Sequence, residues 1–196
     1  MEKHGFISVV AILLFVPVVY GATITVDDDG PADFSSIQAA INAAVSGVDQ
    51  VEVQPGIYYE AINFNGKAIR LYSSGGPGVT TIDATGLNSS VVTCNSGEDV
   101  GTILEGFTIT GGNSYKGGGM YNDGSNPTVT DCIFLSNAAS LHGGGMHNEW
   151  SNPTVTNCIF SGNTASAHGG GMMNNYGSVS YTANCVFIGN TANGWG

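Results

Sequence analysis

Positive charge is what this chain has least of. Its 196 residues carry only 4 Lys and Arg against 15 Asp and Glu, a formal net charge of −11. The bases, Lys3, Lys67, Arg70 and Lys116, are scattered, and so sparse a set cannot build a patch that neutralises several phosphates. Nucleic acid is thereby excluded as a partner, and anionic lipid surfaces with it. Cysteine is nearly as scarce: Cys94, Cys132, Cys158 and Cys185 lack the paired spacing of a zinc site. Helical periodicity is confined to one short stretch near residue 40, which excludes leucine-rich and helical repeats. No apolar run after residue 21 is long enough to span a bilayer.

The one long apolar run stands at the start. Phe6 to Tyr20, interrupted only by Ser8 and Pro17, follows Lys3 and ends at the small residues Gly21 and Ala22. About 15 apolar residues are short for a membrane span and suit a signal-peptide core. Residues 1–21 are therefore expected to be a signal peptide, and 22–196 a secreted or cell-envelope protein with no transmembrane segment after its removal.

What the mature chain has in excess is glycine, 30 residues, together with Asn, Ser and Thr in its later half. Thr23 to Val26 reads as a short strand, and Ser35-Ser36-Ile37-Gln38 as a capping box with Ser35 at the N-cap and Gln38 at N3. A short helix is expected near 35–45, with Ile37, Ala40, Ile41 and Ala44 along one face. Val51 and Val53, Ile57 and Tyr59, Ile62 and Phe64, and Ile69 and Leu71 then alternate between tight turns, without helices between them.

After residue 100 the chain repeats itself. Gly117-Gly118-Gly119-Met120 recurs at Gly143 and again at Gly169, a step of 26 residues each time, and about 18 of 26 positions agree between the first two copies. Cys132, Ile133 and Phe134 match Cys158, Ile159 and Phe160, then Cys185, Val186 and Phe187 after one inserted residue. A unit this small cannot bury its own apolar face, so coils must stack. The expected fold is all-β: a right-handed parallel β-helix, or solenoid, with a short N-terminal capping helix and clear repeats over 117–196. Inward ladders are expected of Cys132/Cys158/Cys185, Phe134/Phe160/Phe187 and Met120/Met146/Met172. Asparagine ladders at turns are expected of Asn122/Asn148/Asn174 and Asn137/Asn163/Asn190.

Two resemblances follow from these residues. The stretch Asp33 to Ile41 with Val53-Gln54-Pro55-Gly56-Ile57-Tyr58 resembles the opening of pectin-lyase-like β-helix proteins, whose helix covers the N-terminal end of the solenoid. Gly118-Gly119-Met120 with Phe134-Leu135-Ser136-Asn137, recurring as Phe160 to Asn163 and Phe187 to Asn190, resembles the repeats of chlamydial polymorphic outer-membrane proteins. The solenoid hosts lyases, hydrolases, esterases and adhesins alike, so neither resemblance fixes an activity. Asn190 to Gly196 aligns with Asn163 to Gly169, and the expectation is that the β-helix is truncated there, as the N-terminal part of a longer protein or as a truncated gene product.

Asp123 and Glu149 share a repeat position and are candidate catalytic carboxylates, able in principle to share a proton, hold Ca²⁺ or act as a glycosidase pair; solvated turn acids are the simpler reading. Trp150 and Tyr176 are likewise equivalent, with Gly124 one coil earlier. They are candidate ligand-binding aromatics for sugar rings, or ordinary ladder packing. His142 and His168 precede successive glycine triplets, with Lys116 at the equivalent place; two imidazoles without a third ligand make a poor metal site, and none is expected. Asp27-Asp28-Asp29 does not match a calcium loop and reads as a solvated turn. Side chains pointing the same way from parallel coils meet disulfide torsions poorly, so no disulfide is expected. Lyases of the resembled family need a cationic base beside calcium-binding acids, and the only Arg here is Arg70. The expected function is a non-catalytic surface solenoid serving adhesion, envelope structure or carbohydrate contact, with polysaccharide or a cell-surface component as partner. The alternative is a polysaccharide lyase or glycoside hydrolase, with Ca²⁺ as its possible cofactor.

Overall fold

The computed structural model describes residues 21–194; the expected export segment lies outside them except for Gly21. Short strands alternate with tight turns because each strand holds at most one or two inward apolar residues before a turn residue, often Gly, Asn or Pro, bends the chain. Every strand pairs in parallel with its counterpart one coil away. The result is a right-handed parallel β-helix of seven turns. Following the chain around a coil, the first sheet holds seven strands: Thr23–Val26, Gln50–Val53, Arg70–Ser73, Ile103–Glu105, Thr128–Thr130, Thr154–Thr156 and Tyr181–Ala183. The second holds six, from Gly56–Tyr58 to Val186–Ile188. A third sheet of four strands, Asn113–Lys116, Ala138–His142, Thr164–Ala165 and Thr191–Ala192, exists only in the later coils. The fourth comprises Ile62–Asn63, Val92–Cys94, Met120–Asp123, Met146–Glu149 and Met172–Asn175. Among the described residues no helix is long and apolar enough to cross a membrane.

The helix spans Ile37–Ala43 and buries Ile37, Ala40 and Ile41 on the first coils. Its N-cap is Ser36, not Ser35, and the reciprocal partner is not Gln38. Glu60 from the next coil supplies the acceptors, taking the Ile37 amide at 2.8 Å, the Gln38 amide at 2.9 Å and the Ser36 hydroxyl at 3.0 Å. A local four-residue pattern could not see a carboxylate that arrives by tertiary contact. Gln38 is thereby free to present its side-chain amide to Asn63, accepting its N–H at 2.7 Å and donating to its C=O at 3.0 Å. It thus satisfies the open edge of the fourth sheet as a neighbouring strand would. At the other helix end the Lys67 ammonium donates to the carbonyls of Ile41, Asn42 and Ala44, the favoured place for a cation.

The repeat motif has a packing cause. Phe134, Phe160 and Phe187 stack with centroids 4.6 and 4.7 Å apart and rings within 4° of parallel. A Cβ on the third glycine of a triplet would press the ring of its own coil, 2.8 Å from Phe134 at Gly119 and from Phe160 at Gly145. The middle glycine faces backbone alone: a Cβ at Gly144 would meet the carbonyls of Thr164 and, at 2.6 Å, Gly170. Glycine triplet and Phe-x-x-Asn therefore recur together because one packs on the other. The column Asn137/Asn163/Asn190 does lie at the turn, where Asn163 Oδ1 accepts from the Asn137 amide at 3.0 Å and its Nδ2 donates to the Phe134 carbonyl at 2.9 Å. Asn122, Asn148 and Asn174 instead sit within the fourth-sheet strands, Asn122 and Asn148 fully buried, linked amide to amide at 2.8 Å. They occupy the inward phase of a Met-x-Asn alternation, so they form a polar ladder inside the coil rather than at its turns.

Candidate functional site

The candidate residues gather where the third sheet folds back onto the outer face of the fourth. Inward Met120, Met146 and Met172 alternate with outward Tyr121, His147 and Met173, and the next outward column is Asp123, Glu149 and Asn175. The first glycine of each triplet is left-handed (φ 66° at Gly143), which swings the end of the third sheet over this face. Lys116 and His142 then stand in register, with His142 bridged to His168. The structure thus brings Asp123 beside Glu149 and His142 beside His168, whose rings stack at 5.1 Å. It also adds Lys116, Tyr121 and His147, which the sequence reading did not single out as site residues. The period-two alternation between Met120 and Asn122 marks Tyr121 and His147 as outward; what it cannot reveal is that another sheet covers them.

Glu149 is the hub. One oxygen takes the Lys116 ammonium at 2.6 Å and the Tyr121 hydroxyl at 3.2 Å, with His147 Nε2 at 3.6 Å. Burial pushes the Glu149 carboxyl up, but hydrogen bonding and charge from Lys116, aided by Tyr121 and His147, outweigh it and hold the group below the usual range. Burial, with the charges of Asp123 and Glu149 beside it, pushes the Tyr121 phenol up. His147 is fully buried, neither of its ring nitrogens has a hydrogen-bond partner, and its ring stacks between Tyr121 and His142 at 5.9 Å from each. Burial, then the Lys116 charge, lower its pKa to about 4, against an opposing pull from Glu149. His142 is shifted down for like reasons: burial first, then His168 and Lys116.

A histidine kept neutral in the fold couples stability to pH. Below about 6.5 the unfolded chain takes up a proton that buried His147 refuses, so stability falls from there toward pH 4. The lowered carboxyl of Glu149 adds a loss at the acid end, as does that of buried Glu98, which burial pushes up but the amides of Ser96 and Gly66 and the Ser125 hydroxyl hold down. His147→Met, the residue found at this position one coil later, is expected to flatten the slope between pH 6.5 and 4. Urea midpoints measured across that range check it; an unchanged slope would remove His147 as its source.

Beside this hub, Trp150 and Tyr176 stack with centroids 5.3 Å apart and 15° between planes, and both stay more than half exposed. At the opposite end of the solenoid the Asp27, Asp28 and Asp29 carboxylates lie within 4.8 Å of one another; Asp27 Oδ1 accepts the amides of Asp29 and Gly30, closing a turn. Cys94, Cys132 and Cys158 are buried free thiols and Cys185 a partly buried one. Cys132 and Cys158 each donate at 3.2 Å to the carbonyl two residues before them.

No family model matches the chain, and no curated protein matches it. Among solved structures it is similar to a pectin methylesterase from carrot, at 12% identity over 88% of this chain and 85% of that one, with a TM-score of 0.39.

Proposed function

We propose that this chain is an exported, surface-exposed β-helix that holds a glycan on the Trp150–Tyr176 platform without cleaving it. The observation that carries this reading is backbone conformation. Trp150 and Tyr176 adopt φ of 52° and 51°, in the left-handed region that bulky residues avoid at a cost of about 1–2 kcal/mol each. Among the described residues, the other non-glycine residues found there are Asn, Asp and Ser, which tolerate it, and the preceding coil uses Gly124 with φ 60°. Stability alone favours Gly or Asn at both positions. Two large rings held exposed against that preference are the mark of a contact surface. The expected signal segment and the likeness of the repeats to those of surface proteins support the address. Glu149, held anionic by Lys116, does not suit the general-acid place of a glycosidase pair, which needs a carboxyl protonated near neutrality.

Trp150→Asn separates contact from packing. The variant is expected to keep its stability within about 1 kcal/mol, because relieved backbone strain offsets lost stacking. Glycan binding should weaken at least tenfold, about 1.4 kcal/mol. Binding that survives the substitution, or release of reducing or unsaturated ends from any polysaccharide with or without Ca²⁺, would overturn the reading.

A further inference from the structure

The Trp150 platform has one covered face and one that no neighbouring ladder residue covers. Tyr176 stacks on the side toward the next coil. On the other side the equivalent residue is Gly124, whose amide donates to the Glu149 carbonyl at 2.9 Å and so fixes the register. A Cβ added at Gly124 would meet nothing within 4 Å. The aromatic column is thus interrupted by a berth one coil deep, about 4.8 Å along the axis. Its roof is an indole face and its floor bare backbone. Asp123 flanks it as a hydrogen-bond acceptor on the partly exposed outer face.

The charges around the berth restrict what can enter. Among the described residues every Lys and Arg is already committed: Lys67 to the helix carbonyls, Arg70 to Glu105 at 2.8 Å, Lys116 to Glu149 at 2.6 Å. An incoming carboxylate or sulfate would find Asp123 and Glu149 close by and no uncommitted ammonium or guanidinium to pair with. Sugar hydroxyls, in contrast, can donate to Asp123 while an apolar ring face lies on Trp150. Resting on the contact reading above, we propose that the space over Gly124 takes one ring of an uncharged glycan and discriminates against uronate and sulfated chains.

The test is a binding panel of neutral glucan, mannan and galactan oligosaccharides, polygalacturonate and a sulfated galactan, read on the parent protein, Trp150→Ala and Gly124→Trp. Gly124→Trp fills the berth at a backbone position that already accepts tryptophan one coil later, and circular dichroism and melting check that it folds. A neutral oligosaccharide is expected to bind, at least about tenfold tighter than the anionic chains at low salt, and to be lost in both variants. Its affinity should change less than about twofold on raising the salt. Anionic chains binding as tightly as neutral ones would overturn the charge argument and leave the platform standing. Neutral binding lost in Trp150→Ala but kept in Gly124→Trp would overturn the berth alone. Failure of every probe to bind would overturn the platform together with the berth.

Discussion

Phe160→Ala is expected to cost about 3–5 kcal/mol, the range for a fully buried phenylalanine truncated in a core that cannot collapse around the gap. Phe160 is the middle ring of three, sandwiched at 4.6 and 4.7 Å, and it is completely buried. The bare third glycine at Gly145 is shaped to its edge, so nothing nearby can move in. In a solenoid, each coil gains stability only from its neighbours, and a void in the middle of the stack weakens two interfaces at once. Chemical denaturation should therefore show a lower midpoint together with a broadened or split transition, as the coils on either side uncouple. Phe187, already 47% exposed, provides the internal comparison: Phe187→Ala should cost well under half as much. Equal losses at the two positions would mean that the ring stack does not carry the coil-to-coil coupling.

Gly144→Ala is the second large effect, expected to cost at least about 3 kcal/mol from a single methyl group. Its Cβ would be driven into the Thr164 carbonyl and to 2.6 Å from the Gly170 carbonyl. Both are backbone atoms, and the Gly144 amide and the Gly145 amide are already bonded to the next coil at 3.1 and 3.0 Å. Relief requires neighbouring coils to separate, which breaks those bonds. Gly78→Ala serves as control: a Cβ there meets nothing and the backbone is not left-handed, so alanine should be neutral or slightly stabilising. Thermal melts of the two variants decide it. A Gly144→Ala protein as stable as the control would show that the triplet serves something other than close approach.

The architecture was legible in the sequence because a repeat states its own register. Gly117, Gly143 and Gly169 sit one coil apart, and that spacing places Phe134 on Phe160 and Met120 on Met146 as observed. Alternation gave the inward residues. It failed where a side chain's partner comes from another coil or another sheet. Glu60 capping the helix, and Lys116 reaching Glu149 across 33 positions of sequence, follow from the coil path and not from any local spacing. The site was half legible for the same reason. Trp150 over Tyr176, and Asp123 beside Glu149, are ladder relations that repeat alignment displays. His147 was missed because it looks like an ordinary outward strand residue until the third sheet is seen to cover it. The strain at Trp150 and Tyr176 was invisible too, since left-handed backbone at an aromatic residue is the reverse of what its composition suggests.

The most direct measurement of the central claim is the fluorescence of Trp150 itself during glycan titration. Trp150 and Trp195 are the two tryptophans of the chain, so a Trp195→Phe background leaves Trp150 as the sole indole reporter. A ring that moves from water to the face of a sugar should shift its emission to shorter wavelength as a neutral oligosaccharide saturates, with no shift for polygalacturonate and no sugar released. Saturable glycan binding that leaves the Trp150 emission unchanged would contradict the account, because the ligand would then be held somewhere other than the aromatic platform.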